Sequence, residues 1–394
     1  MTVRHPYGTP ERHRARTERE TPASAGTPPG LGALFDLHRL VVCVGSGGVG
    51  KTTTAAALGV SAARRGHRAV VLAIDPARRL KDALALDALD GEPHRVPLER
   101  VSGPTTGSLD AALLDTKRTF DTLIRRFAPS TAAAERVLAN PIYQSISTAL
   151  AGSQEYMAME QLHGIASSAR YDALVVDTPP TQHALDFLEA PQRLTALLTS
   201  RAAAILQNPS LILSRESSKL AQMALAAVLR GLERFTGFEL LHDVAEFVAS
   251  IEGLSGGFQS RAAEVARLLR QRETTFLLVT TPEAARIGET LAFRHELLRA
   301  GLPFGGFVVN RVLPAWLVGQ DPPDPERERG RDLALARKLA ALHRRLAGIV
   351  QAERAEIARL ERAAGGMPIV EIPLRTEEPT SLASLAAIAA ALGS

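Results

Sequence analysis

The sequence predicts an α/β fold, a mostly parallel, doubly wound sheet with a helical subdomain inserted between its strands. Three observations predict it. Short, wholly apolar runs such as Leu40–Val44 read as strands buried on both faces. Stretches rich in Ala and Leu, with the propensity and spacing of helices, separate those runs. A glycine-rich turn, 45–50, joins the first apolar run to the first helical stretch.

Residues 1–35 are rich in Pro, Thr, Gly and Arg without periodicity and read as a disordered tail, leaving 36–394 as the folded domain. After the first strand, a helix is expected from Thr53 to near Gly66, then a buried strand over Ala69–Ile74. Further strands are expected at Ala173–Val176, Thr275–Val279, Phe307–Val309 and Pro368–Ile372. Two long segments, about 110–170 and 191–272, read as helical insertions. A third, about 325–364, reads as one long charged helix. Its residues Leu335, Leu339, Leu342, Leu346, Val350, Ile357 and Leu360 recur at helical steps, so it is expected to lay one apolar face on the sheet.

Of the 394 residues, 45% are hydrophobic and 22% charged, enough for a sizeable core. The net charge is only +4, and five Arg against three Glu in residues 1–20 supply about half of it. No basic block is interleaved with aromatics, so nucleic acid is not an expected partner. The single cysteine, Cys43, excludes a disulfide framework and an intrachain cysteine metal site, in keeping with a cytoplasmic location. No run of 18 apolar residues occurs and the N-terminus has no apolar signal core, so neither membrane insertion nor secretion is expected.

Gly45-Ser46-Gly47-Gly48-Val49-Gly50-Lys51-Thr52 fits the phosphate-loop pattern G-x-x-x-x-G-K-[ST], between a strand and a helix as that motif requires. Glycines let backbone N–H groups reach phosphate oxygens, and the helix that follows, from Thr53, turns its positive dipole end toward the anion. Lys51 would reach the β- and γ-phosphates of ATP, and the Thr52 hydroxyl a Mg²⁺ ion. The same glycines match the dinucleotide pattern G-x-G-x-x-G, with Asp75 placed where a ribose-binding acid would sit, so an NAD-binding domain is the alternative. Lys51-Thr52 and the strand-end carboxylate Asp177 favour the nucleoside triphosphate.

The loop, the stretch 75–82 (Asp-Pro-Ala-Arg-Arg-Leu-Lys-Asp) and the stretch 177–183 (Asp-Thr-Pro-Pro-Thr-Gln-His) together resemble the ArsA-type ATPases. That family includes the arsenite-pump ATPase and the eukaryotic ATPase that targets tail-anchored membrane proteins. The likeness covers most of residues 38–390 and resembles bacterial single-domain members. It implies ATP hydrolysis with Mg²⁺. Asp75 would position or deprotonate the attacking water, Asp82 would close the same switch, and Asp177 would hold Mg²⁺ through water. It further implies that Asn310 reads adenine and that Pro373-Leu374 pack on the base, with His183 at a family position.

Departures from the family pattern are as informative. Where the family carries a second lysine that reaches a partner's nucleotide across a dimer, this chain has Ser46. Arg78, Arg79 or the lysine of a paralogous subunit would have to supply that charge, so the expected partner is a second copy or a paralogue. One cysteine cannot capture soft As(III), so arsenite is not an expected ligand. A hydrophobic protein client is expected, with the helices of 191–272 as its surface. A ParA- or MinD-like positioning ATPase is the alternative, although 381–394 lacks the Lys and Arg of a membrane-binding helix.

Overall fold

The computed structural model describes residues 31–74, 78–102, 106–128, 130–140, 143–144, 153–179, 255–318 and 332–393. The N-terminal tail, most of 191–272, Asp75 and His183 therefore lie outside the described residues. In chain order the elements are α1 (Leu34–Leu37), β1 (Leu40–Val44), α2 (Lys51–Arg64), β2 (Arg68–Ala73), α3 (Arg78–Ala83), β3 (His94–Arg95), α4 (Glu99–Ser102) and β4 (Ser108–Leu113). They continue as α5 (Thr116–Phe127), α6 (Thr131–Ala139), α7 (Ser153–Ser167), β5 (Ala173–Asp177), α8 (Ser255–Arg270), β6 (Thr274–Thr280) and α9 (Ala284–Arg299). The last are β7 (Phe304–Val312), α10 (Asp332–Ala364), β8 (Ile369–Pro373) and α11 (Leu382–Gly393).

The eight strands form one sheet in the order β3-β4-β2-β5-β1-β6-β7-β8. Every pairing is parallel except β3 with β4. Strand alternation divides the core into two layers. Val41, Cys43, Val71, Val175 and Val279 face α2 and α11. Leu40, Val42, Val44, Val176 and Leu278 face α7, α8, α9 and the C-terminal half of α10. Each such Val or Leu, fully buried, contributes roughly 1.5–3 kcal/mol relative to exposure, so the strands are held from both sides. β1 lies between β5 and β6, and the chain leaves it toward β2 on one side and reaches β6 on the other. The crevice at the carboxyl end of β1 is where open α/β sheets bind ligands.

Two expectations need correction. The segment from 110 is not helical from its start, because Ser108–Leu113 is β4, paired with β2. Its Asp110 is buried and accepts a hydrogen bond from Tyr171 Oη at 2.8 Å, so a carboxylate sits inside a strand that its polarity disguises. The second correction concerns α10. Val350, Ile357 and Leu360 are buried as expected, but Leu335, Leu339 and Leu342 are 57%, 45% and 52% exposed. The buried residues of that half are Ala336 and Ala340, one position further along. Rows of Leu and of Ala share the helical period, and periodicity alone does not say which one packs.

Candidate nucleotide site

The loop 45–50 occupies the carboxyl end of β1, and Gly50 caps α2 with φ +97°. Both ends of the loop are too tight for a side chain. A Cβ on Gly45 would lie 2.2 Å from the carbonyl oxygen of Val279, and one on Gly50 would lie 2.1 Å from Asn310 Nδ2. The glycines are thus fixed by β6 and β7 as well as by the ligand their pattern predicts.

Lys51 is 7% exposed, and its Nζ donates to the Ser46 carbonyl at 2.9 Å. The ammonium is folded across the mouth of the loop, among the loop's own amides. Thr52 Oγ1 donates to Asp177 Oδ2 at 2.5 Å. Asp177 is 1% exposed and lies level with Cys43 of β1 and with Ala73 of β2. A hydroxyl and a carboxylate from different elements therefore converge at the foot of the loop. Both are hard oxygen donors, the set that suits Mg²⁺. No cluster of three or more His, Cys, Asp or Glu occurs among the described residues, so a metal here would depend on phosphate and water oxygens as well.

Asp75 lies outside the described residues, but the residue before it is placed. Ile74 N donates to the Asp177 carbonyl at 3.1 Å, so the chain passes Asp177 as it approaches Asp75. Arg78 and Arg79 open α3, and Asp82 near its end is 3.7 Å from Lys81. The Cys43 thiol is fully buried, and desolvation, with the charge of Asp177 second, pushes its pKa strongly upward. It is an inert core residue, not a ligand.

Asn310 is not at the end of its strand. β7 runs on to Val312, with a bulge between Asn310 and Val312. Arg311 within it has φ +63°. The bulge re-aims Asn310, whose Nδ2 donates to the Val49 carbonyl at 2.9 Å while Oδ1 accepts from Arg311 N at 2.9 Å. The side chain expected to read adenine thus buttresses the phosphate loop. Pro373 ends β8 beside the same bulge, and Leu374 N donates to the Val312 carbonyl at 2.8 Å.

The sequence reading missed one participant. Ser46 Oγ donates to Glu289 Oε2 on α9 at 2.5 Å, and Arg286 Nη1 donates to the same oxygen at 3.1 Å. These two bonds hold the Glu289 carboxyl below its usual range, the one from Ser46 being the larger cause. The contact spans 243 residues and nothing local in the sequence marks it.

The sequence profile of the anion-transporting ATPases matches residues 38–319, well over half of the chain. Among curated proteins, ATPase GET3 of Malassezia globosa is 30% identical over 44% of this chain and 49% of its own length. ATPase GET3 of Chaetomium globosum is 24% identical over 72% of this chain and 76% of its own. ATPase GET3B of Arabidopsis thaliana is 26% identical over 68% of this chain and 63% of its own.

Proposed function

The chain belongs to the anion-transporting ATPase family and is an ATP hydrolase; from that premise we propose that it binds Mg-ATP at the loop 45–52 and uses the nucleotide state to control association with a second subunit and a protein client. The observation that carries the reading is the pair of bonds that frame the loop, Lys51 on the Ser46 carbonyl across its mouth and Thr52 on Asp177 at its foot.

Loop amides and the α2 terminus bind the phosphates, and Lys51 leaves the Ser46 carbonyl to neutralise the β- and γ-phosphate oxygens. The Thr52 hydroxyl, and Asp177 through water, would hold Mg²⁺, which would supply charge stabilisation on those oxygens. Asp75, next in the chain after Ile74, orients the attacking water and takes its proton. Asn310 reaches the nucleotide through the loop it supports, and Pro373, beside the same bulge, is the residue we assign to the base.

The loop is also linked to a long helix. Asn310 holds Val49, and three residues later Leu313 N donates to Glu353 Oε2 of α10 at 2.9 Å. A shift of the loop on nucleotide binding thus has a short route to α10, two hydrogen bonds joined by three residues of β7 and its end. The client is a hydrophobic protein segment, as the family resemblance implies. The GET3 relatives support this reading through family membership alone. No helix among the described residues is long and apolar enough to cross a membrane. Leu382, Leu385, Ile388 and Leu392 bury α11 in the core with α2, which removes it as the membrane helix a MinD-like protein needs.

The test measures phosphate release with Mg-ATP and with EDTA, and mass by light scattering with ADP and with a non-hydrolysable ATP analogue. Metal-dependent hydrolysis and a nucleotide-dependent doubling of mass are expected. A constant monomer mass overturns the two-subunit reading, and arsenite should leave the rate unchanged.

A further inference from the structure

We propose that the N-terminal half of α10 is a docking seam for an amphipathic helix of another protein, one whose leucine-type apolar stripe is flanked by Asp and Glu. The seam is independent of the nucleotide reading above and accepts a different chemistry from a wholly apolar client.

The placement of α10 exposes it. Leu313, just past the end of β7, bonds Glu353, so Glu353 marks the edge of the sheet at the carboxyl ends of the strands. The helix begins at Asp332, about 30 Å of helix before that point at 1.5 Å per residue, and buries Ala336 and Ala340 on its inner side. The edge that Glu353 marks is the one that carries the phosphate loop.

Along this half Leu335, Leu339, Leu342, Leu346 and Ile349 recur at steps of four, three, four and three. That is the spacing of a coiled-coil seam. Leu346 is half-buried and the other four are 57%, 45%, 52% and 42% exposed. At 100° per residue the five spread over about 80° of the helix, a narrow stripe of the kind one partner helix covers. A helix lying on a membrane presents a broader apolar face, commonly with aromatic residues, and α10 has none. The short 3-10 turn Ala315–Leu317 packs against α10 and adds exposed Trp316, and Val318 just after it is exposed too. Exposed apolar residues scattered singly need no explanation, but a contiguous set marks an interaction site.

Charge specifies the partner. From Leu333 to Ala352 there is no Asp or Glu, while Arg337, Lys338, Arg344 and Arg345 all lie within it. None of the four is in an ion pair among the described residues. Lys338 and Arg345 immediately precede seam leucines, where coiled coils place the charges that choose a partner. The C-terminal half is the opposite case. There Arg354 pairs with Glu371 at 2.8 Å and Arg359 with Glu356 at 3.2 Å. A second copy of this chain would bring four more cations to the seam and no carboxylate, so a partner with acidic flanks is favoured.

The test uses the full chain and two fluorescent helical peptides with identical heptad leucines, one carrying Glu and one Lys at the flanking positions. Fluorescence anisotropy should show the Glu peptide binding at least about tenfold more tightly than the Lys peptide. The double variant Leu339→Ser/Leu342→Ser should lose binding at least about tenfold, with ATPase rate and thermal midpoint unchanged. Lys338→Glu/Arg345→Glu should invert the preference between the peptides. Binding that ignores both variants overturns the proposal. So does seam-dependent capture of phosphatidylglycerol vesicles with no peptide binding, or a seam-dependent homodimer by light scattering.

Discussion

The phosphate loop and the N-terminal half of α10 lie at the same edge of the sheet and are built in opposite ways. At the loop the polar side chains are bonded to the protein itself: Lys51 to Ser46, Thr52 to Asp177 and Asn310 to Val49, with Ser46 bonded to Glu289 at the surface. On α10, four cations and four large apolar side chains face outward. A buried donor or acceptor costs about 1–3 kcal/mol if left unmatched, so the loop is held in one shape before any ligand arrives. An exposed stripe carries no such penalty in water and gains only when something covers it. The first arrangement suits a site whose ligand is small and always the same. The second suits a partner that comes and goes.

The largest effect that sharpens this contrast is expected from Lys51→Ala. It removes the buried ammonium from the mouth of the loop, and removal of one transition-state contact of this kind costs about 10²–10³ in rate. ATP binding by calorimetry and phosphate release should both fall to background, while affinity for the acid-flanked peptide is unchanged. If peptide affinity falls in step with nucleotide affinity, the two regions are one site and the contrast fails.

Asp75→Asn should come next. A positioned base contributes roughly 10²–10⁴-fold, so turnover should drop by about 10² or more with ATP affinity retained. Single-turnover and equilibrium measurements on the same variant separate the two. Normal turnover would make Asp75 a structural residue.

How much of this was legible in the sequence follows from the range of each interaction. The loop, the helix behind it and the buried strands β1, β2, β5 and β6 are local patterns, and the chain shows them to within a residue or two. β4 was hidden because Asp110 interrupts its apolar run, and its partners Tyr171 and Arg95 are distant in sequence. Asn310 was legible as a residue of interest but not in its orientation, which depends on a bulge at Arg311. The exposed seam on α10 was hidden because Leu and Ala rows run in parallel along one helix, and only tertiary packing buries Ala336 and Ala340.

Glu289 was illegible for the same reason, and it gives the smallest and most diagnostic prediction. Its carboxyl is exposed, so the bond from Ser46 is worth little in water, and Glu289→Ala should change KM for ATP by no more than about threefold. The pH dependence has a definite sign. Because the folded pKa is depressed, the bond is fully present above the ordinary glutamate value of about 4.3 and is lost as pH falls through the folded value. Activity between pH 6 and 8 should therefore not depend on this group's titration. The value of the residue is in what it does to a lysine at position 46. Ser46→Lys alone places the new ammonium beside Glu289, which takes it as an ion pair within the chain and leaves little charge for a partner's nucleotide. Ser46→Lys with Glu289→Ala frees it. If the missing cation limits the isolated chain, the double variant should exceed the single one in ATPase rate, and the gain should rise with protein concentration because the lysine acts across two subunits. Equal rates in both variants, independent of concentration, would show that Ser46 and Glu289 simply close the loop on itself, as the other polar groups there do.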